Sequence, residues 1–465
     1  MNNDENLFTT YQKKLSGINT PVETELHQIS LAITGKIPKE IYGHYYRNGP
    51  NQKYIPGAYH HLIDGNGMIH QFSFNQGEII YTNRWVRNKL FISEEKENRC
   101  LTSCNLKTGV DKKILNFSSR ERTRSNTHAI VVGGTLLAFE ENGIPYQLST
   151  NDLSTLGVLQ EAVKYKTTVT GHPKYDKIEK KIYCLNWNLE SHYPACTVFW
   201  LNETLNIVGF SEISVPYRAF IHDYAITENY ILLPLFPCIA KEESMSHFNH
   251  STLSWQPTLP TKIGVIDKRT LQVIHWFEIE GCYALHTCNA YEKNGKIYFT
   301  LICHDHPTLL ANENLNSNMR SQLTTIILDI TNNTANFTLL DAPNFCYHFP
   351  RIDDRKLGRY CDVIYACLTQ NTTSEGMLYS ESLIKINIYT GEKQIYTHGA
   401  GWYFNEPVFV PGQTSNYLIA IVTSTEENLS FLLLFNENDI TCGPIASALL
   451  PHRIPYGFHG SWSEV

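Results

Sequence analysis

From about Ile41 onward the chain keeps returning to short runs rich in Ile, Val, Tyr, Phe and Thr, among them residues 79–81, 135–139, 181–185, 230–233, 296–301 and 430–434. Runs of roughly four to eight such residues bounded by turn formers read as strands. The separators fit that reading: Gly65-Asn66-Gly67, Gly133-Gly134, Asn294-Gly295 and Pro411-Gly412 stand at hairpin-like spacings. Apolar residues at helical spacing with caps are scarce, so helix is expected only in short pieces near the N-terminus and in insertions. The pattern predicts an all-β chain. No segment repeats at a fixed period and no low-complexity linker divides the chain, so a single domain is expected over residues 1–465, with 1–40 as an N-terminal extension. Residues 241–260, with their Ser, Asn and His, read as one long insertion loop suited to substrate entry or membrane contact.

Composition removes several function classes. With 465 residues, 18% charged and 12% aromatic, the chain can bury a large core and is not of the disordered type. Lys and Arg number 38 against 45 Asp and Glu, so no basic footprint points to nucleic acid. The longest apolar stretches, 230–239 and 431–435, fall well short of the roughly eighteen residues a spanning helix needs. Residues 1–14 are polar, without the basic end and apolar run of a secretory signal. Twelve cysteines without a C-x-x-C pair read as reduced thiols. A cytoplasmic protein is expected, with a surface that could rest on a membrane without crossing it.

Candidate chemistry lies in the histidines. Nineteen are present, and most single histidines are surface or core residues with no ligand role. Four sit in more specified contexts: Thr170-Gly171-His172-Pro173-Lys174, Phe220-Ile221-His222-Asp223-Tyr224, Leu285-His286-Thr287-Cys288-Asn289 and Tyr456-Gly457-Phe458-His459-Gly460. The first three are about 50 and about 64 residues apart, roughly one four-stranded blade each, a spacing that could bring them to a propeller axis. No two share the short interval of a zinc finger or a zincin helix, so spacing alone names no metal.

Together with Tyr46-Arg47-Asn48-Gly49-Pro50-Asn51, Asp64-Gly65-Asn66-Gly67-Met68, Pro260-Thr261-Lys262-Ile263-Gly264-Val265 and Glu406-Pro407-Val408-Phe409-Val410-Pro411, these contexts resemble the carotenoid cleavage oxygenase family, from about residue 42 to about 463. The resemblance implies a seven-bladed β-propeller with loops and short helices capping one face. It also implies a non-haem iron(II) held by His172, His222, His286 and His459. Four neutral imidazoles suit borderline iron(II) and would leave two neighbouring octahedral positions for dioxygen and water. Carboxylates are then expected behind the ligands, orienting them. The positions matching the family's glutamates are Glu141 and Glu406, and Thr127 resembles a threonine whose methyl shades an open iron position.

Two positions depart from the family pattern. Where a third glutamate usually precedes Phe-Pro-Arg-Ile, this chain has His348, which is expected to accept a hydrogen bond from His286 in its place. Glu140 falls where lignostilbene-cleaving relatives carry a lysine read as gripping a phenolic oxygen, and a carboxylate there would repel a phenolate and accept from a hydroxyl. Phe220, Leu285 and Phe349 match apolar tunnel positions. The resemblance thus implies oxidative cleavage of an apocarotenoid-like polyene, with a hydrophobic small molecule and dioxygen as partners. The rival within the class is cleavage of a stilbene or phenylpropenoid on the same iron. The isomerohydrolase branch is disfavoured because its Pro-Asp-Pro-Cys-Lys run is missing, Thr102-Ser103-Cys104-Asn105-Leu106-Lys107 standing there instead. A propeller that only binds, with structural histidines, is the reading from another class.

Overall fold

The computed structural model describes residues 15–54, 65–101, 121–188, 195–240, 253–304, 307, 321–340, 345–369 and 379–464. Its strands pair as antiparallel sheets, and the chain divides into two compact units, Met1–Gly171 with Gly399–Val465, and His172–His398. Three sheets of four or more strands lie in the first unit and four in the second, giving the seven sheets of a seven-bladed β-propeller. The all-β expectation holds. Among the described residues there are two short α-helices, Lys89–Glu97 and Gln160–Lys164.

The second unit is the more regular. Each of its four sheets is an antiparallel meander, the four opening with Lys174–Asp176, Ala225–Ile226, Thr287–Lys293 and Cys346–Arg351, and all but the second use consecutive strands. Central strands such as Tyr230–Leu235 and Val363–Thr369 are buried almost throughout, which is why they read as continuous apolar runs. Two-residue turns join several pairs. Asn294 and Gly295, with φ of 52° and 72°, connect Thr287–Lys293 to Lys296–His304, the doubly left-handed turn that matches strand twist. A separate hairpin, Cys238–Ala240 with Leu253–Trp255, brackets residues 241–252 of the expected insertion, which lie outside the described residues.

The first unit interleaves the two ends of the chain. Leu26–Ser30 pairs with Glu78–Trp85 and Ala32–Gly35 with Ala446–Leu449, so the stretch read as an N-terminal extension supplies the outer strands of two sheets. At the other edge of the five-stranded sheet, Gly460–Glu464 pairs with Gly43–Pro50. Tyr45, Phe72, Phe74 and Tyr81 pack with Ile419, Ile421, Leu432, Leu434 and Trp462 in one buried cluster. Each such side chain contributes roughly 1.5–3 kcal/mol relative to exposure. Gly67 must be glycine for a steric reason, because a β-carbon there would stand 2.1 Å from the Ser125 carbonyl oxygen.

Candidate metal centre

Three of the four singled-out histidines belong to the second unit, each just ahead of the first strand of a sheet: His172 before Lys174–Asp176, His222 before Ala225–Ile226 and His286 before Thr287–Lys293. Their ligand nitrogens lie within 4.8 Å of one another. His172 Nε2 and His222 Nε2 are 2.9 Å apart, and the ring centroids are separated by 4.5, 5.0 and 5.2 Å. Nitrogen tips that converge from three mutually tilted rings fit a metal, since each lone pair can point at one centre while the rings stay clear of each other. An all-imidazole donor set is neutral and borderline in softness, which suits iron, copper, nickel or zinc better than calcium or magnesium.

The walls near these histidines are aromatic. Phe220 stacks on His222 at 5.7 Å and is itself edge-on to Trp187 at 5.3 Å. Phe349 lies 5.6 Å from His286. It has φ of 50° at a register shift between His348 and Arg351, so a bulge turns this ring toward His286 at a backbone cost. Leu285 is half-buried and packs on the apolar core of its unit.

His348 does not play the part expected of it. Its Nε2 is 3.2 Å from Cys346 Sγ and its ring stacks on His304 at 6.1 Å, so it makes no hydrogen bond to His286. The bulge that presents Phe349 is the reason: the ladder is regular at His348, opposite Cys367, and breaks after it. Burial pushes the His348 imidazole down to about 3, with His304 adding to the effect, and burial pushes His304 down to about 4. Both are neutral in either state above about pH 6.5. Below that the unfolded chain takes up the protons first, so stability falls as pH drops toward 4. At pH 5 each is expected to cost about 2 kcal/mol relative to pH 7.5. Urea midpoints against pH should flatten in His348→Gln, and an unchanged slope would count against the pair as the source.

The first unit holds the remaining positions. His459 Nδ1 is 2.8 Å from Glu406 Oε1, while Gly460 N–H donates to Glu406 Oε2 at 2.8 Å. Both His459 and Glu406 are buried. A carboxylate on Nδ1 fixes the tautomer and leaves Nε2 as the nitrogen with an open lone pair. Asn48 N–H and the Thr127 carbonyl hold the His459 backbone, at 3.0 and 3.1 Å. The Thr127 methyl lies against Gly171, where a β-carbon would stand 2.5 Å away, and the next residue is His172. Glu141 is half-buried in the turn 140–143. That turn is tied by Thr168 Oγ1 to Asn142 Oδ1 at 2.6 Å, and by a Gly143–Val169 bridge, to the segment leading into His172.

Glu140 also differs from its expectation. Its Oε2 accepts from Thr123 Oγ1 at 2.5 Å, from Arg124 N–H and from Ser125 N–H at 3.2 Å. Burial pushes its carboxyl above the ordinary range while those donors pull it back. The carboxylate thus anchors the 123–125 loop through Oε2, where Ser125 has φ of 54°. Glu140→Ala is expected to lose about 2–4 kcal/mol of stability through the orphaned donors and to leave substrate preference alone. A denaturation midpoint that does not move would defeat this assignment. Lys174, Asp223 and Thr287 carry no motif signal of their own in the sequence, although each stands one or two residues after a singled-out histidine.

A family model described as retinal pigment epithelial membrane protein matches residues 19–464. Isoeugenol monooxygenase of Pseudomonas nitroreducens is 27% identical over 97% of this chain and 97% of its own length. A carotenoid 9,10(9',10')-cleavage dioxygenase of Pisum sativum is 27% identical over 96% and 88%. Among solved structures, lignostilbene dioxygenase of Pseudomonas brassicacearum superposes with a TM-score of 0.87 at 24% identity, covering 97% of this chain and 98% of that one, a likeness of fold. With the family match running over nearly every strand described above, the chain belongs to the retinal pigment epithelial membrane protein family.

Proposed function

We propose that the chain is an iron(II)-dependent dioxygenase that cleaves a carbon–carbon double bond of an apocarotenoid-like polyene into two carbonyl products. The observation that carries this reading is the convergence of the His172, His222 and His286 imidazoles inside aromatic walls. His459, oriented by Glu406, is the fourth ligand on the resemblance, with Glu141 orienting a ligand imidazole and the Thr127 methyl shading the metal. When bound, iron(II) supplies the one-electron chemistry that lets dioxygen react with a closed-shell alkene. Phe220 and Phe349 offer apolar faces against which an alkene can lie, and they keep water from competing with it. Each alkene carbon takes one oxygen atom of O2, so the balance needs no outside reductant and no acid or base from the protein. His348 has no part in it.

A second reading, cleavage of a stilbene or phenylpropenoid, gains from one observation. Glu140 Oε2 is engaged by the donors of the 123–125 loop, which disperse its charge and weaken its repulsion of a phenolic oxygen. The name of the isoeugenol relative points the same way. Protein purified without oxygen and loaded with iron, then given labelled dioxygen and a panel of an apocarotenal, a hydroxystilbene and isoeugenol, separates the two. Two carbonyl products carrying one labelled oxygen each are expected from the true class. No product from any member, with iron bound, would defeat the proposal. Docking of the 241–260 segment on a membrane belongs to the polyene reading, and among the described residues no helix is long and apolar enough to span one.

A further inference from the structure

One buried carboxylate joins the three chain segments that leave the three converging histidines. Asp223, directly after His222, is 4% exposed. Its Oδ1 accepts from Lys174 Nζ at 2.6 Å and from Tyr224 N–H at 2.7 Å. Its Oδ2 accepts from Thr287 N–H at 2.8 Å and from Thr287 Oγ1 at 2.9 Å. Lys174 follows His172 by two residues and Thr287 follows His286 by one. Lys174 also lies over the Tyr224 ring at 5.5 Å, and Tyr224 donates its hydroxyl to the Tyr183 carbonyl at 2.7 Å, so the network is anchored in the sheet behind it.

Four donors fill both oxygens of a carboxylate taken out of water, with a lysine to balance its charge. Such a pair is a poor source of stability beside an apolar replacement of the same volume, and its benefit lies in fixing one arrangement. Here the arrangement fixed is the separation of three short backbone segments whose next residues are His172, His222 and His286. Imidazoles whose tips must meet at one point tolerate displacements of only about 0.5 Å. We infer that Asp223 is a positioning residue of the metal centre, setting the mutual geometry of its three histidines through Lys174 and Thr287. The inference rests on the centre proposed above and adds to it the part that keeps it assembled when no metal is present.

The test uses the full chain stripped of metal and titrated with cobalt(II) alone, against a competing chelator. Wild type is expected to take up about one cobalt. Thr287→Val removes only the hydroxyl donor and should fold; its cobalt affinity should fall about tenfold, with shifted d–d bands at saturation. Thr287→Ser restores the hydroxyl and should restore both. Asp223→Asn places an amide donor against donors and should lose more than Thr287→Val does. If it fails to fold, Thr287→Val and its serine rescue decide the matter. Affinity and bands within twofold of wild type in the folded variants would overturn the inference while leaving the centre intact. A wild-type chain that takes up no cobalt overturns the centre and the inference together.

Discussion

Replacing His222 or His286 with alanine is expected to remove all measurable alkene cleavage and nearly all bound metal. Each of these side chains contributes one of three nitrogens that lie within 4.8 Å of one another, so losing one leaves two donors from the second unit. The drop in metal affinity should exceed the roughly 10–100-fold typical when only an outer partner of a ligand is lost. Without metal the variants should be about as stable as wild type, because the His172 and His222 nitrogens 2.9 Å apart share at most one hydrogen bond. Elemental analysis of protein purified with iron, beside thermal unfolding of the stripped forms, gives both readings. Full iron occupancy in either variant would sink the assignment, whatever happened to activity.

Glu406→Gln is expected to have the next largest effect. Glu406 is 3% exposed and meets two donors, His459 Nδ1 and Gly460 N–H, each at 2.8 Å. A glutamine has one acceptor oxygen for two donors, so its NH2 group must face either the imidazole or the backbone. If the imidazole loses its partner it can rotate or change tautomer, and Nε2 is no longer held for the fourth-ligand role proposed for it. Metal affinity should fall about 10–100-fold, with a further loss of about 1–3 kcal/mol of folding stability in Glu406→Ala, where both donors are orphaned. Chelator competition that gives the same affinity for Glu406→Gln and wild type would remove His459 from the ligand set.

What could be read from the chain and what could not follow from the same physics. The runs at 135–139, 181–185, 230–233, 296–301 and 430–434 were legible because they fall in strands buried on both faces, where apolar residues are contiguous. Outer strands such as Thr334–Leu339 and Ile207–Ser214 left little signal, since most of their residues meet water. The histidine contexts were legible by motif. The directions of their neighbours were not: Glu140 and His348 were assigned by position beside known motifs, and position does not say which way a side chain points. A loop with Ser125 at positive φ captures the first, and the bulge at Phe349 leaves the second facing Cys346. Asp223 stood inside a quoted motif, but its partners Lys174 and Thr287 are distant in sequence and become neighbours only through the sheets.

The pairing of Gly460–Glu464 with Gly43–Pro50 has a consequence for the order of events during synthesis. All sixteen strands of the four meanders in the second unit lie between residues 174 and 397, and each meander can close with strands made shortly before as it leaves the ribosome. The five-stranded sheet must wait with an open edge until the strand that follows His459 arrives, after every strand of the second unit has been made. An exposed edge held open that long is a template for pairing with another nascent chain. Slow translation late in the message, or a chaperone that covers strand edges, would therefore matter more to the yield of this protein than the speed with which its histidine-bearing meanders form.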